Sequence, residues 1–90
     1  MNAAETNKEP DAALALAALG WLLSDNVRAE RLLAVTGLTP EGLRAGLADS
    51  ALLGAILAFL EAHEPDLIAC AEAIGQQPPA LVAARQRLTA

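Results

Sequence analysis

The stretch "AALALAALGWLL", Ala12–Leu23, runs for twelve residues without a charged or amide side chain. A membrane-crossing helix needs about 18–20 such residues, so this run is too short to span. It is made mostly of Ala and Leu, which give up least on entering a helix. A helix apolar around most of its circumference must be enclosed by other elements. The rest of the chain supplies them as helices. Hydrophobic residues make up 54%, yet there is one Trp, one Phe and no Tyr. The core is therefore aliphatic, and the scarcity of β-branched and aromatic residues argues against sheet. Ninety residues make one domain with one core. The sequence predicts an all-α fold: a compact bundle of about six short helices without a strand.

Punctuation along the chain sets the helix ends. Residues 1–9 are polar and mixed in charge and read as a disordered tail, leaving 10–90 as a single helical domain. They lack the basic-then-apolar pattern of a signal peptide. Pro10 suits a first helical position. "SDN" (24–26) both stops the first helix and caps the second, which runs to Thr36. Gly37 is placed for a left-handed cap, with Leu38 returning onto Leu33 as in a Schellman ending. Thr39-Pro40 opens a third helix, weakened by Gly42 and Gly46. Asp49 or Ser50 caps a fourth, whose Leu52, Leu53, Ile56, Leu57, Phe59 and Leu60 form a wide apolar stripe. A fifth starts at Pro65 and ends before Gly75, and a sixth starts near Pro79.

A weak repeat underlies this order. Shifted by 38 residues, "ALALAALGWLL" falls on "ALLGAILAFLE", Gly37 on Gly75, Pro40 on Pro78 and Leu43 on Leu81. Positions 13–46 give nine identities in 34, against about four from composition alone in so Ala- and Leu-rich a chain. A true duplication would pack two three-helix halves face to face, and only matching backbone geometry distinguishes it from shared turn chemistry.

The stretches "RLLAVTGLTPEGLR" (31–44) and "FLEAHEPDLIACAEAIGQQPPALVAARQRL" (59–88) resemble a family of small alphaproteobacterial proteins known as a domain of unknown function. The likeness covers residues 11–88 and is most specific at "TGLTPEGLR". It implies a cytoplasmic helical protein. It transfers no activity, cofactor or site residue.

Chemistry has few places to reside. "HEPDLIACA" (63–71) holds the only His and the only Cys beside Glu64 and Asp66. A zinc site needs three or four converging ligands, and no second His or Cys pair accompanies them. At 100° per residue, Leu67, Cys70, Ala71 and Ile74 share one arc, which places Cys70 on the apolar stripe. Glu64 and Asp66 suit the positive end of a helix dipole. The stretch reads as a helix start, with no metal, no cofactor and no catalytic residue assigned, and His63 is left without a role. A lone thiol also excludes an internal disulfide and fits the cytoplasm.

Two interaction readings remain. The leading one is a non-enzymatic protein-interaction module or regulator, acting through an apolar groove or a homodimer face. A bundle this small encloses one wholly apolar helix, hardly two, so either the first helix is central or part of its face meets a partner. Trp21, Leu53 and Phe59 are the candidate partner-binding residues, although Trp21 and Phe59 coincide in the repeat and so suit the core. The alternative is a DNA-binding helix-turn-helix regulator using Arg85, Gln86 and Arg87 of the sixth helix, with phosphate contacts from Arg28 and Arg31. A net charge of −5, from 11 acidic and 6 basic residues, argues against nucleic acid and against an anionic membrane surface.

Overall fold

The computed structural model describes residues 8–90. Its elements are α1 (Glu9–Leu23), α2 (Asn26–Thr36), α3 (Pro40–Ala45), α4 (Ser50–Glu61), α5 (Glu64–Ala73) and α6 (Pro78–Leu88). No strand occurs among the described residues, and the all-α expectation holds. Of the expected tail, residues 1–7 lie outside the described ones. Lys8 is the N-cap position of α1 and Glu9 its first helical residue.

Side chains cap three of the six helix starts. Asp25 accepts a hydrogen bond from the Arg28 amide at 3.0 Å, Thr39 from Gly42 at 2.9 Å, and Asp49 from Ala51 at 3.0 Å. Each such cap stabilises its helix by about 0.5–2 kcal/mol. Gly37 and Gly75 adopt φ of 75° and 76°, the left-handed conformation that a Cβ disfavours. Gly75 closes α5 with a Schellman pair: Gln76 N–H donates to the Ala71 carbonyl (2.8 Å) and Gly75 N–H to Glu72 (3.2 Å).

Gly37 ends α2 differently from the expectation. Its N–H donates to the Leu33 carbonyl at 2.9 Å, the single bond of the simpler left-handed ending. The Leu38 amide donates instead to the Thr36 hydroxyl at 3.3 Å, which itself donates to the Leu32 carbonyl at 2.6 Å. The threonine hydroxyl has taken the amide that a Schellman ending requires.

The 38-residue repeat recurs in the backbone. N-caps fall at Asp25 and His63, and again at Thr39 and Gln77. α1 ends at Leu23 and α4 at Glu61, and the two left-handed glycines also correspond. Buried positions pair in the same register: Ala15 with Leu53, Ala18 with Ile56, Leu19 with Leu57, Leu22 with Leu60, Leu32 with Cys70 and Leu43 with Leu81. α1 lies against α5 as α4 lies against α2.

The correspondence fails at the third helix. α3 has six residues where α6 has eleven. Gly42 and Gly46 stand where α6 carries Ala80 and Ala84, and each Gly costs a helix about 1 kcal/mol relative to Ala. α3 gives way at Gly46, where an added Cβ would run into the Leu52 side chain. As a result α6 packs along both α1 and α4, while α3 touches the other helices only slightly.

The central helix is α4 rather than α1. Its Leu53, Gly54, Ile56, Leu57, Phe59 and Leu60 are buried, and it meets α1, α2, α5 and α6. α1 buries Ala15, Ala18, Leu19 and Leu22 but leaves Leu16 41% and Leu23 45% exposed. Gly54 lets α6 settle on α4, because a Cβ there would meet the Thr89 methyl and lie 3.6 Å from the Leu88 Cβ. Substituting Gly54→Leu should wedge the two helices apart and destabilise the fold by about 1–3 kcal/mol, read from urea unfolding. An unchanged midpoint would show that α4 and α6 are not in close contact.

Candidate functional site

The shortness of α3 leaves an apolar groove beside it. Leu19 and Leu23 of α1 form one wall and Leu33 of α2 its floor. Pro40 and Leu43 of α3, with Leu47 in the following turn, form the other wall. The groove encloses about 260 Å³, and Arg44 is its one polar lining residue. Leu23 and Leu47 (36% exposed) are solvent-facing parts of this lining. Arg44 is exposed and makes no ion pair among the described residues.

The second half of the molecule shows the same location sealed. Shifting by 38 residues turns Leu23 into Glu61 and Leu47 into Arg85. These two join in a bidentate ion pair, Nε to Oε2 at 2.6 Å and Nη2 to Oε1 at 3.1 Å. Leu57, Ala71 and Leu81, the counterparts of Leu19, Leu33 and Leu43, are fully buried. Where one half carries a fork of charge-assisted hydrogen bonds, the other carries two unpaired leucines.

The residues expected to bind a partner lie elsewhere. Leu53 (1% exposed) and Phe59 (8%) lie on the covered stripe of α4 and belong to the core. Trp21 is half-buried against the core, with the Arg28 guanidinium 3.9 Å from its ring centroid, a cation–π contact. None of the three lines the groove. Leu23 and Leu47 are the exposed apolar residues there, and a helix apolar on all sides does not reveal which side stays open.

The candidate DNA-reading residues are largely engaged. Arg85 is held by Glu61. Arg87 grips Asp11 through Nε (2.9 Å) and Nη2 (2.8 Å), joining α6 to the first turn of α1. Both guanidiniums are held above their already high ordinary pKa, chiefly by these hydrogen bonds. Gln86 is exposed between them. Of the suggested phosphate contacts, Arg28 covers Trp21 and Arg31 pairs with Asp66 at 2.9 Å. A nucleic acid would have to displace carboxylates already in place.

At the start of α5, His63 is the N-cap residue by its backbone alone. Its carbonyl accepts from the Asp66 and Leu67 amides, both at 3.1 Å. Its imidazole is half-exposed, with Nε2 3.9 Å from the Asp66 carboxylate that Arg31 holds. Cys70 is fully buried on the apolar stripe. Burial pushes its thiol up to about 11, with Arg28 lowering it and Asp66 raising it by smaller amounts. Among the described residues no three His, Cys, Asp or Glu side chains converge as a metal site would require.

Residues 8–90, the whole of this helical assembly, match the model of the family described as "Protein of unknown function (DUF3572)". The chain belongs to that family. No curated protein matches it, and no solved structure does. The DUF3572 match includes both the groove and its sealed counterpart.

The two clamps of this DUF3572 domain should respond unequally to mutation. Arg87→Ala strands Asp11, which is 6% exposed, whereas Arg85→Ala leaves Glu61 able to hydrate. Arg87→Ala should therefore lower Tm more than Arg85→Ala, and adding Asp11→Ala to Arg87→Ala should recover part of the loss. The reverse order in thermal unfolding would refute this. The raised thiol also has a pH consequence. Because the native Cys70 pKa exceeds the ordinary value of 9.0, its contribution is fully present below pH 9. It declines as pH rises through the window to about 11. Urea unfolding across that window should show a steeper fall for the native chain than for Cys70→Ala.

Proposed function

We propose that this chain is a non-enzymatic helical interaction module of the cytoplasm that holds an apolar segment of a protein partner in the α1–α2–α3 groove. An alphaproteobacterial source, implied by the sequence resemblance, belongs to the same reading. The observation that carries it is the contrast between the halves. The position sealed by Glu61 and Arg85 in one is left in the other as an open trough edged by exposed Leu23 and Leu47. Apolar side chains kept in water are unfavourable in isolation, so their retention around a concave surface is best accounted for by an occupant. No described helix is long and apolar enough to cross a membrane. The DNA-binding alternative gains no support from α6, where two of its three residues are tied to carboxylates.

The test compares the native chain with Leu47→Glu and Leu23→Glu. Both positions are solvent-facing, so the fold should persist, as circular dichroism would verify. The native chain should retain a protein from lysate, or sediment as an assembly, and both variants should lose that behaviour. A strict monomer that retains nothing, or variants that retain the same protein equally well, would overturn the reading.

A further inference from the structure

We propose that the occupant of this groove is an acidic amphipathic helix of a different protein, with aliphatic side chains seated between α1 and α3 and a carboxylate paired with Arg44. The inference rests on the groove being an interaction site and adds what fills it. Four observations converge on it.

The first is the backbone chemistry of the walls. They are helices and a tight turn, and helical N–H and C=O groups are satisfied within the helix. No strand edge is available among the described residues to pair with an extended peptide. An occupant that satisfies its own backbone, as a helix does, suits such walls.

The second is size and polarity. About 260 Å³ falls below the roughly 300–1,000 Å³ of sites for drug-sized ligands. One polar lining residue is too few to orient a small polar molecule. The same trough suits a pair of aliphatic anchors on one helix face, three or four residues apart.

The third is charge. Arg31, Arg85 and Arg87 each hold a carboxylate, and Arg28 lies over Trp21. Arg44 alone among the arginines has no such partner in the described residues, and it stands at the groove. The sealed half shows how this protein covers an equivalent apolar floor: aliphatic burial topped by an arginine–carboxylate fork. In the open half those two positions are Leu47 and Leu23, and Arg44, at the position of Val82, stands beside them without a carboxylate partner among the described residues.

The fourth distinguishes a foreign helix from a second copy. Outside the groove, the large exposed apolar residues are Leu16, Val27, Val35 and Ile68. Only Ile68 has acidic residues four positions away on both sides, Glu64 and Glu72. It is a single anchor, however, whereas the groove presents several leucines.

The test titrates the ¹⁵N-labelled full chain with lactam-bridged helical peptides. A small panel carries Leu pairs at i,i+3, i,i+4 and i,i+7, flanked either by Glu or by Lys. At low salt at least one Glu peptide should perturb Leu19, Leu33, Leu43 and Leu47. It should bind at least tenfold more tightly than its Lys counterpart, which is about 1.4 kcal/mol. Arg44→Gln should remove that preference, Arg44→Glu should reverse it, and Leu47→Glu should abolish binding of both series. Equal affinity for Glu and Lys peptides would overturn the acidic-helix inference and leave the groove reading intact. Absence of binding at millimolar concentration, or perturbations mapping elsewhere, would overturn both. Sedimentation showing a dimer that Ile68→Lys dissolves would identify a second copy as the occupant and overturn the choice of a foreign helix.

Discussion

α4 carries a wide apolar stripe that has to be covered, leaving only a face of small residues, Ala51, Ala55 and Ala58, exposed, and that requirement arranges the other helices. α1, α2, α5 and α6 all pack against it. A chain of this size has enough residues to surround one such helix and no more. α1 is nearly as apolar and is left at the edge, with its leftover leucines facing water. Gly54 makes the enclosure tight. Without a Cβ it forgoes helix stability of about 1 kcal/mol, and in return α6 can rest directly on the centre of the bundle.

The two halves share cap positions, left-handed glycines and buried registers, and four of their differences bear on the groove. Gly42 and Gly46 end α3 early, whereas Ala80 and Ala84 let α6 continue. Leu23 and Leu47 face solvent, whereas Glu61 and Arg85 clasp each other. These differences act together. A longer third helix would fill the trough, and a charged pair would cover it. One half is closed at this location and the other is open.

Much of this was legible in the sequence because helix grammar is local. Asp25, Thr39 and Asp49 announce helix starts through side chains that bond amides two or three residues away. Gly37 and Gly75 announce stops through a conformation that other residues avoid. Cys70 follows from helical periodicity. The Thr36 relay was missed because a hydroxyl two residues from an amide competes with the backbone by a small margin. The groove was legible only as a surplus of apolar residues. Periodicity cannot say which side of α1 or α4 remains exposed when every side is apolar, so it does not separate the buried Leu53 and Phe59 from the exposed Leu23 and Leu47. The clamps were illegible for another reason. Asp11 and Arg87 are separated by 76 positions, and nothing local to α6 marks its arginines as partners of carboxylates rather than of phosphates.

That same separation bears on how the chain comes into being. Synthesis proceeds from the N-terminus, so Asp11 leaves the ribosome well before Arg87. Until α6 emerges, α4 lacks a side of its enclosure and Asp11 has no counter-charge. The bundle is therefore completed only when α6 docks on α1 and α4 and supplies a fork for Asp11. A product that stops short of α6 keeps those surfaces uncovered and remains recognisable to proteases and chaperones as incomplete.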